Sequence, residues 1–102
     1  MSIKKGIYAA SMSIFNADLS LDVDATINHS EKMVKDGCHG AVIFGSTGMS
    51  QLIALEDKKK LIEKLVLSKM KDHYIIGTGS NSLKENINIM KHTLNAGINR
   101  FL

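Results

Sequence analysis

The chain has 102 residues, with 13 Lys and Arg against 10 Asp and Glu for a net charge of +3. Hydrophobic residues make up 44% and charged residues 23%, which excludes a disordered chain and bounds the protein at one small domain. The positive charge is too slight and too scattered to imply a nucleic-acid partner, and 5% aromatics without Trp argue against a base-stacking platform.

In chain order, the run from Gly6 to Met12 reads as a short strand. Asp22 is placed to cap a helix whose stripe is Val23, Ile27, Ser30 and Val34, widened by Met33. Gly37 supplies the left-handed position that ends it. Ala41-Val42-Ile43-Phe44 is an unbroken apolar run, as expected of a parallel strand buried on both faces. It stops at Gly45-Ser46-Thr47-Gly48. Glu56 and Asp57 put negative charge where a helix N-terminus favours it, and Leu61, Ile62, Leu65 and Val66 form the stripe that follows. Lys58-Lys59-Lys60 reads as a solvated face of that helix. Tyr74-Ile75-Ile76 is a second buried strand, closed by Gly77-Thr78-Gly79-Ser80-Asn81. Ser82 and Glu85 make a capping box for a third helix with the stripe Leu83, Ile87, Met90 and Leu94, ended by Gly97. Arg100-Phe101-Leu102 begins another strand.

The alternation of strand and helix predicts βα units with a parallel sheet, the strands Ala41–Phe44 and Tyr74–Ile76 adjacent, and the three helical stripes packed outside it. A chain that stops at a strand onset reads as a piece of a longer α/β protein. A closed barrel would need eight such units and typically ~250 residues.

In parallel α/β proteins ligands bind beyond the carboxyl ends of the strands. Two loops there carry suggestive residues. Gly45-Ser46-Thr47-Gly48-Met49-Ser50 gathers hydroxyls and flexible backbone that can aim donors at an anionic group such as a carboxylate. It lacks the Gly-Lys-Ser/Thr of a P-loop. Gly77-Thr78-Gly79-Ser80-Asn81-Ser82 approaches Gly-x-Gly-x-x-Gly but has Ser82 at the sixth place. For both, a plain turn with helix-capping hydroxyls is the alternative.

The other reactive residues form no site. His29, His39, His73 and His92 have no shared metal-ligand spacing, so no metal is expected. Cys38 reads as a buried inert thiol, and Met12, Met33 and Met90 as core filler. No lysine sits in an apolar strand, where burial would favour Schiff-base chemistry. A single cysteine excludes an internal disulfide and fits the cytoplasm. No apolar run approaches the roughly 18 residues that span a membrane, and Met1-Ser2-Ile3-Lys4-Lys5 holds no signal-peptide core.

Taken in order, Gly6 to Ala10, Gly45 to Ser50 and Gly77 to Ser82 resemble the dihydrodipicolinate synthase / N-acetylneuraminate lyase family, with Asp22, Gly37, Gly40 and Gly97 also following its pattern. The resemblance covers essentially the whole chain but only the N-terminal third or so of the family's domain. It implies a (β/α)8 TIM barrel, of which residues 1–102 would be the first three βα units and the start of the fourth strand. It also implies an enzyme that forms a Schiff base between a lysine and a 2-oxo acid, usually pyruvate, then makes or breaks a carbon–carbon bond to an aldehyde, without cofactor or metal. Carried over by residue, Thr47 would bind the pyruvate carboxylate, Ser46 would relay a proton to a catalytic tyrosine, and Gly45 and Gly48 would let the backbone approach the ligand. The lysine and the tyrosine would lie beyond Leu102. A homo-oligomer, dimer or tetramer, is implied as well. The chain departs from the pattern at Ser13-Ile14, where Thr-Pro is usual, and at Met49, where Glu is usual. The run Gly77 to Ser82 resembles the synthase branch, which condenses pyruvate with aspartate semialdehyde on the way to lysine, whereas Ser46 is common in the neuraminate lyase branch. A βα-rich module that binds a small anion without covalent chemistry is the reading of another class.

Overall fold

The computed structural model describes residues 4–102; the Met1-Ser2-Ile3 part of the signal-peptide reading lies outside the described residues. Strands β1 (Tyr8–Ala10), β2 (Gly40–Ile43) and β3 (Tyr74–Ile76) alternate with helices α1 (Val23–Lys35), α2 (Leu55–Leu65) and α3 (Leu83–Ala96). The sheet order is β1-β2-β3 and both pairings are parallel, with Ala9 opposite Ala41 and Val42 opposite Ile75. A fourth parallel strand begins where expected: Phe101 bridges Ile76, and the Ile76 N–H donates to the Arg100 carbonyl at 2.9 Å. Arg100 is buried and anchors that onset, donating from Nε to the Tyr74 carbonyl and from Nη2 to the Lys71 carbonyl. Its charge is thereby hydrogen-bonded to main-chain oxygens at the strand edge, as a buried cation requires.

The helix ends follow the sequence. Asp22 accepts from the Ala25 N–H and caps α1, while Ser82 accepts from the Glu85 N–H at 3.2 Å and caps α3. The Ser82–Glu85 capping box is only half formed, because the Ser82 N–H donates to Ser80 Oγ and not to the Glu85 carboxylate. Gly37 and Gly97 take the left-handed values expected at the helix ends, φ 122° and 111°.

The core lies between the sheet and the helices: Ile43, Phe44, Leu61, Ile62, Leu65, Ile76 and Ile98 are all essentially inaccessible. The stripe of α2 is thus as predicted. The α3 stripe is overturned, whereas the α1 stripe holds in part. Helix α3 turns Ile89 and Thr93 inward, and Leu83, Ile87 and Leu94 stay exposed, as does Met90. The helix has two apolar faces roughly 100° apart, and periodicity cannot rank them. The Thr93 hydroxyl donates to the Ile89 carbonyl, which makes its burial inexpensive. Helix α1 buries Thr26 and Ser30, with Val23 and Ile27 half-buried beside the core and Val34 half-buried further along. The facing position at the end of β1 is Ser11, and its hydroxyl pairs with that of Ser30 at 2.6 Å, so small hydroxyl side chains let the helix approach. Met12 is 54% exposed, so it is no core filler, Met33 is half-buried, and Cys38 is half-buried rather than enclosed.

Two predictions follow from this core. Leu65→Ala in the intact protein costs about 2–5 kcal/mol by chemical denaturation; a loss below about 0.5 kcal/mol would place Leu65 at the surface. Tyr74 is buried and its hydroxyl has no hydrogen-bond partner among the described residues. Burial, and then the Glu31 charge, push its phenol well above the usual value of 10.0. The folded state therefore keeps the proton where the unfolded chain releases it. This contribution to stability is complete below the unfolded value and is lost as pH rises through the folded one. Tyr74→Phe leaves neutral-pH stability unchanged or higher and flattens the alkaline decline; a strongly destabilised variant would mean the hydroxyl is satisfied.

Candidate functional site

Strand β2 ends one residue earlier than its apolar run. Phe44 leaves the strand with φ 64°, a left-handed value that a bulky residue adopts only when its surroundings enforce it. Its side chain is fully buried, and the ammonium of Lys58 sits 5.9 Å from the centre of its ring. The solvated reading of Lys58 is therefore wrong: it is 5% exposed, on the inner face of α2, while Lys60 keeps to solvent. Burial lowers the Lys58 pKa, and the Glu85 charge opposes that shift.

The twist at Phe44 aims its carbonyl at β3. The Gly77 N–H donates to the Ile43 carbonyl at 2.7 Å, and a Cβ on Gly77 would fall 2.2 Å from the Phe44 oxygen and 3.0 Å from the Gly45 nitrogen. Gly77 is thus required by close approach of two main chains. Parallel pairing puts the Gly45 and Gly77 loops at the same end of the sheet, as predicted, and this approach holds them close together.

Between them lies a cavity of about 450 Å³. Phe44, Gly45 and Ser46 line it from the first loop, Gly77 and Gly79 from the second, and Leu102 from the start of the fourth strand. Of the expected site residues, Ser46 and Gly45 face this cavity. Thr47 and Gly48 are not among its lining residues: Thr47 is exposed on the turn and Gly48 is buried beneath it, where a Cβ would meet the Ser11 carbonyl at 3.0 Å. The turn is closed by the Met49 N–H donating to the Ser46 carbonyl at 3.0 Å, with Met49 itself left-handed at φ 57°. Met49 lines the cavity with a thioether where the family resemblance gives a carboxylate.

Sequence reasoning gave Ser50 no individual role. It lines the same cavity, is 2% exposed, and its hydroxyl has no hydrogen-bond partner among the described residues. A buried hydroxyl without a partner is one that a ligand can satisfy. Its only sequence signal was membership in the hydroxyl run. The second loop spends its polar groups locally: Ser80 Oγ accepts from the Ser82 N–H and Ser82 Oγ from the Glu85 N–H. The Ser80 N–H donates to Asn86 Oδ1 and its carbonyl accepts from Asn86 Nδ2, so these residues form the turn-and-cap alternative rather than a phosphate cradle.

Elsewhere the histidines stay apart from the cavity. His39 Nδ1 accepts from the Ile7 N–H, and His73 Nδ1 hydrogen-bonds to the His39 carbonyl at the opposite ends of the strands. No group of three potential metal ligands occurs among the described residues, and none of their helices is long and apolar enough to cross a membrane.

A parallel sheet with helices on its outside and a cavity at the carboxyl ends of its strands is the layout of β/α-barrel proteins. Residues 4–102 match the model of the dihydrodipicolinate synthetase family. A curated relative from Rhizobium meliloti, a 4-hydroxy-tetrahydrodipicolinate synthase, is 35% identical over 99 residues, covering 96% of this chain and 34% of its own. An E. coli K12 prophage protein of the dihydrodipicolinic acid synthase family, crystallised in complex with pyruvate, superposes with a TM-score of 0.79 at 26% identity, covering 98% of this chain and 34% of its own. The N-acetylneuraminate lyase of Proteus mirabilis gives 0.84 at 25% identity, covering 96% of this chain and 34% of its own. The chain belongs to the dihydrodipicolinate synthetase family, and its fold is part of a (β/α)8 barrel. It spans about a third of the length of the curated relatives it matches.

The close approach at Gly77 can be tested directly. Gly77→Ala destabilises the intact protein by about 1–3 kcal/mol, because main chain must move. Gly45→Ala, whose Cβ would meet only Val42 Cγ1 at 3.7 Å, leaves the unfolding midpoint nearly unchanged. Equal effects of the two substitutions in chemical denaturation would contradict this geometry.

Proposed function

We propose that residues 1–102 are the N-terminal portion of a single barrel domain and that the whole protein is a pyruvate-dependent lyase of the aldolase type. The cavity at the carboxyl ends of β2 and β3, with Ser46 on its wall, is the observation that carries this reading. A lysine beyond Leu102 attacks the ketone carbon of pyruvate and water leaves, giving an imine. Loss of a methyl proton yields an enamine whose carbon adds to an aldehyde. The hydroxyl and N–H of Thr47 hold the pyruvate carboxylate, for which a turn residue open to solvent is accessible. Ser46 donates and accepts in a relay with a tyrosine beyond Leu102. Gly45 and Gly48 let the backbone approach the ligand, and no cofactor takes part.

Among such reactions, condensation of pyruvate with aspartate semialdehyde to 4-hydroxy-tetrahydrodipicolinate is the best supported, because curated relatives at 35% and 34% identity carry that synthase name. The likeness to the Proteus mirabilis N-acetylneuraminate lyase, together with Ser46, favours cleavage of N-acetylneuraminate as the second reading. The protein works in the cytoplasm as a homo-oligomer, a dimer or tetramer.

Pyruvate with borohydride should trap a reduced adduct on a lysine beyond Leu102 of the full-length protein, and on none from Lys4 to Lys91. Lys58, the buried one, lies on α2 outside the cavity lining. Ser46→Ala then lowers turnover by roughly 10²–10⁴-fold with a smaller change in apparent pyruvate affinity, and Thr47→Val weakens pyruvate binding. Mass spectrometry without a reducible adduct would reject the aldolase reading and favour a non-covalent anion-binding module. Turnover of aspartate semialdehyde against N-acetylneuraminate separates the two enzyme readings.

A further inference from the structure

The turn that carries Ser46 and Thr47 cannot hold its own shape by packing. Both side chains are exposed, and Met49 sits at a left-handed φ that an unbranched side chain tolerates but does not prefer. The Met49 N–H to Ser46 carbonyl bond closes the turn from within, and its ends are fixed from outside. One end is Gly45, wedged against Gly77. The other is Gly48, and here a side chain acts: the Ser13 hydroxyl donates to the Gly48 carbonyl at 2.6 Å, across 35 residues of sequence.

Ser13 is itself held. Ser11 continues the β1 ladder by donating its N–H to the Val42 carbonyl at 3.0 Å. On the other side, the Ile14 N–H donates to Thr26 Oγ1 at 3.0 Å, and the Ile14 carbonyl accepts from the Asp22 N–H at 2.8 Å. A proline at position 14 would have no N–H to give Thr26. In this chain, the segment after β1 is fixed by hydrogen bonds to the first turns of α1. Ser13 thus projects from a pinned backbone, and its hydroxyl transmits that position to the turn.

We propose that Ser13 is a positioning residue for the hydroxyl turn: its hydrogen bond to the Gly48 carbonyl sets the orientation in which Thr47 and Ser46 meet a 2-oxo acid. The consequence for pyruvate rests on the function proposed above; the clamp itself does not.

Two readouts test it. In the intact protein, Ser13→Ala speeds amide exchange at Met49, whose N–H closes the turn, and leaves exchange at Gly77 unchanged. The same variant raises the pyruvate KM by about 3–10-fold, with kcat changed less. Ser13→Thr restores both, because it keeps the hydroxyl. If Ser13→Ala fails to fold, Ser13→Cys carries the same test, since the thiol keeps the volume and is a weak donor. Unchanged exchange at Met49, an unchanged KM, or a Ser13→Thr variant as impaired as Ser13→Ala would overturn the proposal. If wild-type protein forms no pyruvate adduct, the proposed function fails, and the exchange measurement still decides whether Ser13 clamps the turn.

Discussion

Everything at the carboxyl end of this sheet depends on one contact between main chains. Phe44 turns left-handed at the end of β2 and directs its carbonyl at Gly77, where no side chain intervenes. Parallel pairing alone would bring the loops after β2 and β3 to the same end, but not this close. The contact sets the width of the cavity by placing Gly45 against Gly77. It is enforced from behind by burial of the Phe44 ring and by Lys58 near its face. The strained φ is thus held by core packing, and core packing supplies the energy that keeps an irregular turn in one shape.

Polar groups are buried in the helices and at the sheet edge, and their partners reveal which are structural. Ser30 and Thr26 bond within α1 and to the segment after β1, Thr93 bonds within α3, and Arg100 bonds to the carbonyls of Tyr74 and Lys71. Such groups add little net stability but would be costly if left alone. Ser50 differs: its hydroxyl is enclosed without a partner among the described residues, and it faces the cavity.

Strand positions, cap residues and helix-ending glycines were legible because each rests on local chemistry. The Asp22 and Ser82 caps and Gly97 kept their expected roles, and the run at Ala41 did so as far as Ile43, with Val42 half-buried. What was illegible was decided by tertiary approach. The inward face of α3 is Ile89 and Thr93, because packing against α2 and the core selects one face. Lys58 is buried although it stands in a run of three lysines, because α2 lays that position over Phe44. The left-handed turn at Phe44 ends an apolar run that reads as strand throughout. At the site itself, the hydroxyl run was visible in the sequence. Its division into Ser46 on the cavity wall, Thr47 on the open turn and Ser50 enclosed without a partner among the described residues needed the three-dimensional arrangement.

The most direct test of the central claim is a crystal structure of the full-length protein soaked with pyruvate. The account predicts the 2-oxo acid at the carboxyl ends of β2 and β3, with its carboxylate within hydrogen-bonding distance of the Ser46–Thr47 turn and the Phe44–Gly77 approach intact. Pyruvate bound away from that turn, or an ordered cavity left empty at saturating ligand, would contradict it.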